Sequence, residues 1–193
     1  MILTCGLDEA GRGPLAGPVS AGAVILPRNF PFEILNDSKK MTEKKREAAE
    51  KLIKEKSCWA VSFVDEKKID EINILQASML AMKNAYDEML KKLPLWLEEN
   101  GFNLSEKIEI NAIADGTKCP EVSCVVRCEP KADGNVMAAS ILAKVARDRL
   151  MLEYDKKYPE YGYAKHKGYP TKAHREICRK IGPSPIQRLS FKF

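Results

Sequence analysis

Three observations predict an α/β fold in which a mixed sheet is flanked by helices and followed by a small helical C-terminal segment. Apolar residues recur at strand and helix spacing in the order ββαβαββα, then a helical tail. The chain has 193 residues, 45% of them hydrophobic, which suffices for one substantial core and argues against disorder. Acidic residues stand where strand patterns stop, as expected when neighbouring strand ends converge at one rim of a sheet.

Ile2–Leu7 and Val19–Leu26 read as strands, a hairpin or an adjacent pair, separated by a glycine-proline turn and closed by Pro27-Arg-Asn-Phe-Pro-Phe32. Thr42 is placed to cap a helix over Glu43–Lys56, whose Ala48, Ala49, Leu52 and Ile53 fall at helical spacing; Ser57–Val64 then alternates as a strand. The stripe Leu75, Met79, Met82, Tyr86 and Met89 predicts a helix from Ile74 to Leu93 that ends before Pro94, with its methionines in the core. Ile108–Ala114 and Val122–Cys128 are the last strands, and a helix is predicted from Val136 to about Tyr158. The tail is an aromatic and basic loop, a short helix over Thr171–Ile181 and a Gly182-Pro-Ser-Pro turn. No repeat or low-complexity linker is visible.

The first residues lack a basic n-region, and no stretch approaches the ~18 apolar residues needed to span a bilayer, so a soluble cytoplasmic protein without membrane contact is expected. Six cysteines occur at 5, 58, 119, 124, 128 and 178; the closest three, spaced C-x4-C-x3-C, do not match the paired C-x2-C of zinc ribbons, and all six are expected as free thiols. Charge is uneven: residues 131–193 hold fourteen Lys/Arg against six Asp/Glu, net +8, whereas residues 1–130 are net −3. The basic end suits an anionic partner, although lysines are ordinarily just solvated surface.

Asp8 and Glu9 end the first strand and run into a turn rich in glycine, with Gly6, Gly11, Gly13 and Gly17. Carboxylates are hard ligands for Mg²⁺ or Mn²⁺, and bare backbone lets another molecule approach closely; together they outline a phosphodiester site. Asp115 and Asp133 follow later strands and could join them, but both precede glycine, and Asp-Gly is equally a common turn dipeptide. Carboxylates gathered without metal would repel and raise one another's pKa; two divalent ions about 4 Å apart could hold them and activate water. Ser140, Lys144 and Arg147 share one stripe of the helix after Asp133 and would offer donors to phosphate, while Ile141, Val145 and Leu152 pack. Asp37-Ser-Lys-Lys40 could bind phosphate or simply cap a helix, and His166-Lys-Gly-Tyr169 could stack a ring on a sugar or base.

Six segments carry a resemblance to a known family: Gly6-Leu-Asp-Glu-Ala-Gly-Arg-Gly-Pro-Leu-Ala-Gly-Pro-Val19, Leu35-Asn-Asp-Ser-Lys39, Ala114-Asp-Gly116, Ala138-Ala-Ser-Ile-Leu-Ala-Lys-Val-Ala-Arg-Asp148, His166-Lys-Gly-Tyr-Pro-Thr171 and Gly182-Pro-Ser-Pro-Ile186. In this order, across nearly the whole chain, they closely resemble ribonuclease HII. The resemblance implies a ribonuclease H-like catalytic domain over residues 1–157 and a C-terminal loop-helix substrate-binding segment over 158–193. It implies cleavage of RNA in RNA–DNA hybrids and beside single ribonucleotides in duplex DNA, leaving 3′-hydroxyl and 5′-phosphate ends, by a monomer. The family's metal-binding carboxylates match Asp8, Glu9, Asp115 and Asp133, with Mg²⁺ or Mn²⁺ as cofactor. Its 2′-hydroxyl-sensing turn matches Gly11, Arg12 and Gly13; its phosphate contacts match Lys39, Ser140 and Lys144; its junction-sensing tyrosine matches Tyr169.

The chain departs from the family pattern at Ala132, at Gly134-Asn-Val-Met and at Gln187, where glycine, another linker and histidine are usual. With the acidic pair at residue 8, no extra N-terminal domain of the ribonuclease HIII type is expected. Ser190-Phe-Lys-Phe193 does not fit a clamp-binding motif.

Overall fold

The computed structural model describes all residues except 104, 106, 130–132 and 193; Ala132 and Phe193, singled out above, thus lie outside the described residues. Five strands, β1 (Ile2–Ala10), β2 (Val19–Ile25), β3 (Cys58–Val64), β4 (Glu109–Asp115) and β5 (Val125–Glu129), form one mixed sheet in the order β3-β2-β1-β4-β5. β1 pairs antiparallel with β2 and parallel with β4; β2 pairs antiparallel with β3, and β4 parallel with β5. Successive strand side chains point to opposite faces, so β2 sends Ala23 to one core and Val24 to the other. The first core is closed by α2 (Glu66–Glu99) through Met82, Tyr86 and Met89; the second by α1 (Glu43–Lys56) and α3 (Gly134–Lys157) through Ile53, Ile141 and Leu142.

α3 lies hard against the sheet because two strand glycines leave room for it. A Cβ on Gly6 would stand 2.0 Å from the backbone carbon of Asn135, and one on Gly22 2.5 Å from the carbonyl oxygen of Ala139. α3 therefore starts over the middle of β1 and passes the strand's acidic end. Beyond it, α4 (Tyr163–His166) and α5 (Lys172–Ile181) pack through Tyr163 and Cys178, joined by Tyr161 before α4 and Ile186 after α5, on Met151 of α3 and Ala16 of the β1–β2 loop. Among the described residues, no helix is long and apolar enough to cross a membrane.

Several boundaries differ from expectation. β1 extends to Ala10, since Asp8, Glu9 and Ala10 pair with Gly22, Ala21 and Ser20 of β2, so the acidic pair lies within the strand. α2 starts early, capped by Asp65, and breaks at Asn73 (φ 68°), whose side-chain oxygen accepts the N–H groups of Leu75 and Gln76 and so caps the second part. It also passes through Pro94, where the turn beyond is held by buried Trp96 and Leu97 and by the Trp96 indole N–H on the carbonyl of Lys56, 3.0 Å away. β5 begins at Val125, three residues late. Cys119 and Cys128 form a disulfide, which corrects the expectation of six free thiols. The chain after Asp115 folds back beside β5 and brings their Cα atoms to 5.8 Å, a separation invisible in sequence spacing.

Candidate active site

Parallel pairing brings the ends of β1 and β4 to one rim. Leu7 is level with Ala114, so Asp115 arrives beside Asp8. Asp8, Glu9 and Asp115 line a cleft of about 740 Å³ whose walls also include Gly11, Arg12, Gly13, Lys39, Ser140, Lys144 and Tyr169. Among the described residues, no three His, Cys, Asp or Glu side chains already converge as a finished metal cage; the acids share a cleft rather than a point.

The electrostatics of the acids are strained. Burial, and after it the charge of Glu9, push the Asp8 carboxyl up to about 7; Asp115 adds in the same direction, and a hydrogen bond from Ser140 opposes it. Burial also raises Glu9, offset by Arg12, whose guanidinium stands 3.4 Å from its carboxylate. Three carboxyl groups in one half-buried cleft, one of them holding a proton near neutrality, form a hard-oxygen donor set whose charge a divalent cation would relieve.

The cleft's other wall is assembled from distant segments. Ser38, buried before α1, shares a 2.7 Å hydrogen bond with Ser140 of α3, and Lys39 follows it with its backbone N–H on the Asp37 carboxylate at 2.9 Å. Lys144, one turn beyond Ser140, is held by Asp148 at 2.8 Å and stands 5.7 Å from the centre of the Tyr169 ring. That ring is exposed and lies beside Gly13, where even an added Cβ would find its Cε1 only at 3.8 Å. Tyr169 and the Gly11-Arg12-Gly13 turn are therefore adjacent surfaces.

Asp133 is the N-cap of α3, just before the cleft-lining Val136 and Met137, and its Oδ1 accepts the backbone N–H of Asn135 at 2.7 Å and the Asn135 amide at 2.8 Å. Asn135 in turn accepts the N–H of Leu26, fixing the helix start to β2. One expectation is corrected: Arg147 does not face phosphate. It is 1% exposed and donates to the carbonyls of Ala16, Pro18 and Lys167, because the β1–β2 loop covers that part of the stripe.

The family model described as Ribonuclease HII matches residues 5–193. The chain belongs to the ribonuclease HII family. A Ribonuclease HII from Treponema denticola is 53% identical over 196 residues, covering 98% of both chains. The ribonuclease H2 structure from Pyrococcus horikoshii OT3 superposes with a TM-score of 0.70 at 25% identity, covering 98% of this chain and 94% of that one. The PCNA:RNase HII complex from Archaeoglobus fulgidus shares the fold, with a TM-score of 0.71 at 23% identity, covering 99% and 96%. In this member of the ribonuclease HII family the sequence signals missed Val136 and Met137 as cleft walls, and Arg188 beneath the cleft. A lone arginine two residues past a Pro-Ile turn carries no local signal of burial.

Proposed function

We propose that the cleft performs the hydrolysis of RNA in RNA–DNA hybrids and the cutting 5′ of ribonucleotides embedded in duplex DNA, leaving 3′-hydroxyl and 5′-phosphate ends. The observation that carries this reading is the meeting of Asp8, Glu9 and Asp115 with the glycine turn and Tyr169 in one cleft of a ribonuclease HII chain.

Asp8, Glu9 and Asp115 would hold Mg²⁺ or Mn²⁺, which, when bound, supplies Lewis-acid activation of water and stabilisation of the leaving oxygen. Asp133 caps α3 through Oδ1 alone, so its Oδ2 would serve as a fourth oxygen donor to the ions while the cap stays in place. Lys39, Ser140 and Lys144 supply an ammonium, a hydroxyl and a second ammonium for backbone phosphates, which position the strand without reading its sequence. Gly11, Arg12 and Gly13 offer main-chain groups, and a 2′-hydroxyl, both donor and acceptor, is the feature that main-chain groups can use to tell RNA from DNA. Tyr169, next to that turn, is suited to stack on the adjoining deoxyribose. Residues 158–193 then form a substrate-binding segment packed on the catalytic domain of residues 1–157, through the small core around Tyr163.

The test compares a duplex holding one ribonucleotide with its all-DNA twin, in Mg²⁺, in Mn²⁺ and in chelator. Cleavage of the first alone, with metal alone, is expected. Equal cleavage of both would make the protein a general DNA nuclease, and binding without cleavage in either metal would make it a binding module.

A further inference from the structure

Two arginines lie fully inside the protein directly under the glycine turn. Arg147 of α3 is 1% exposed and Arg188, from the C-terminal segment, 0%. Each spends its guanidinium on three main-chain carbonyls. Arg147 donates to Pro18, Lys167 and Ala16 at 2.9, 3.0 and 3.1 Å; Arg188 donates to Gly17, Arg12 and Gly11 at 2.8, 3.1 and 2.7 Å. Burial and the neighbouring guanidinium both work against the Arg188 charge, with Asp70 and Glu66 in partial compensation. Charges buried this way are poor devices for stability alone, since apolar side chains of similar size commonly serve as well or better. What they supply is direction.

In a planar trans peptide the N–H of one residue points opposite to the carbonyl of the residue before it. With the carbonyls of Gly11 and Arg12 turned inward onto Arg188, the N–H groups of Arg12 and Gly13 are turned away from it, toward the side on which the cleft lies. We infer that Arg188, seconded by Arg147, is a specificity-determining positioning residue: it aims the main-chain donors of the Gly11–Gly13 turn at the ribose and locks that turn to the Tyr169 loop. The lock is visible in Arg147, which bridges Ala16 and Pro18 on one side and Lys167 on the other, and in the Leu15 N–H on the Gly168 carbonyl at 2.8 Å. Gly11 (φ 99°) must lack a side chain, because a Cβ would stand 2.1 Å from Nε of Arg147. Arg188 is fastened in turn by Asp70 of α2, which accepts the N–H groups of Leu189 and Ser190 at 2.8 and 2.9 Å. Lysine could not substitute, since a single ammonium cannot span three carbonyls held by a planar fork.

This inference rests on the proposed reading of the turn, and the experiment separates the two. Affinity for the single-ribonucleotide duplex and for its all-DNA twin is measured by fluorescence anisotropy in Ca²⁺, for the parent and for Arg188→Lys, with circular dichroism to confirm folding. The parent is expected to prefer the ribonucleotide duplex, and Arg188→Lys to lose about tenfold of that preference, the worth of one well-aimed hydrogen bond, while binding the all-DNA twin as before. A parent that bound both duplexes alike would remove the reading of the turn and the inference with it. A folded Arg188→Lys that kept the full preference, or that lost affinity for both duplexes equally, would overturn the inference alone. Should Arg188→Lys not fold, Asp70→Ala keeps both guanidiniums and loosens only the segment that carries Arg188. It should lose part of the preference, and an unchanged preference would overturn the inference.

Discussion

Replacing Asp8 by asparagine should stabilise the metal-free protein while abolishing cleavage, and the size of the gain should depend on pH. Burial and the Glu9 and Asp115 charges hold the folded-state carboxyl at about 7 against an ordinary value of 3.8. The sign follows from proton binding: the folded state binds the Asp8 proton more tightly, so this contribution to stability is whole below about pH 4 and is lost as pH rises toward 7. At about 1.4 kcal/mol per pKa unit, the parent has lost roughly 1.5 kcal/mol by pH 5 and roughly 4 kcal/mol by pH 8. An asparagine side chain has the same shape and no charge, so the variant escapes that loss. For a domain of this length the difference between the two pH values corresponds to about 5–10 °C in Tm. The assay is thermal unfolding of both proteins in chelator at pH 5 and pH 8, repeated in excess Mg²⁺. The gap in favour of Asp8→Asn should widen at the higher pH and narrow with metal, because a bound cation favours the ionised carboxylate of the parent. A gap that did not change with pH in chelator would refute the claim that Asp8 is strained by burial and by its neighbours.

Three further outcomes are expected. Asp133→Asn keeps an N-cap side chain and should leave the melting temperature near that of the parent, whereas Asp133→Ala should cost about 1 kcal/mol by chemical denaturation; a turnover loss in the asparagine variant at unchanged stability would give Asp133 a role at the metal. Tyr169→Ala should cost about tenfold or more in kcat/KM at a ribo-to-deoxyribo junction, in line with stacking on a nucleotide, and less on a long continuous hybrid, measured as the ratio of the two; equal losses would end its sensing role. Gly6→Ala should destabilise by about 3 kcal/mol or more in urea, because the added carbon meets the backbone of Asn135 rather than a side chain that can move; a smaller change would mean that α3 is not pressed against β1.

Much of the architecture was legible without coordinates, because its signals are local. Alternation in Cys58–Val64, the Thr42 cap and the Met79–Met89 stripe depend on neighbours a few residues away, and β3, α1 and the middle of α2 stand where those patterns placed them. Asp8 and Glu9 beside a glycine turn were equally plain, since the strand and the turn that present them are contiguous. Only the tertiary structure decided the rest. Helix periodicity puts Ser140, Lys144 and Arg147 on one stripe, but what covers each part of that stripe is set by the loop returning over it, which buries Arg147 and leaves the other two in the cleft. Asp133 could be read as a ligand or as a cap, and the structure shows the cap, made by one carboxylate oxygen. The Cys119–Cys128 pairing depends on how the chain after Asp115 turns back beside β5, and the burial of Arg188 beneath Gly11 on segments far apart along the chain that meet only through the fold.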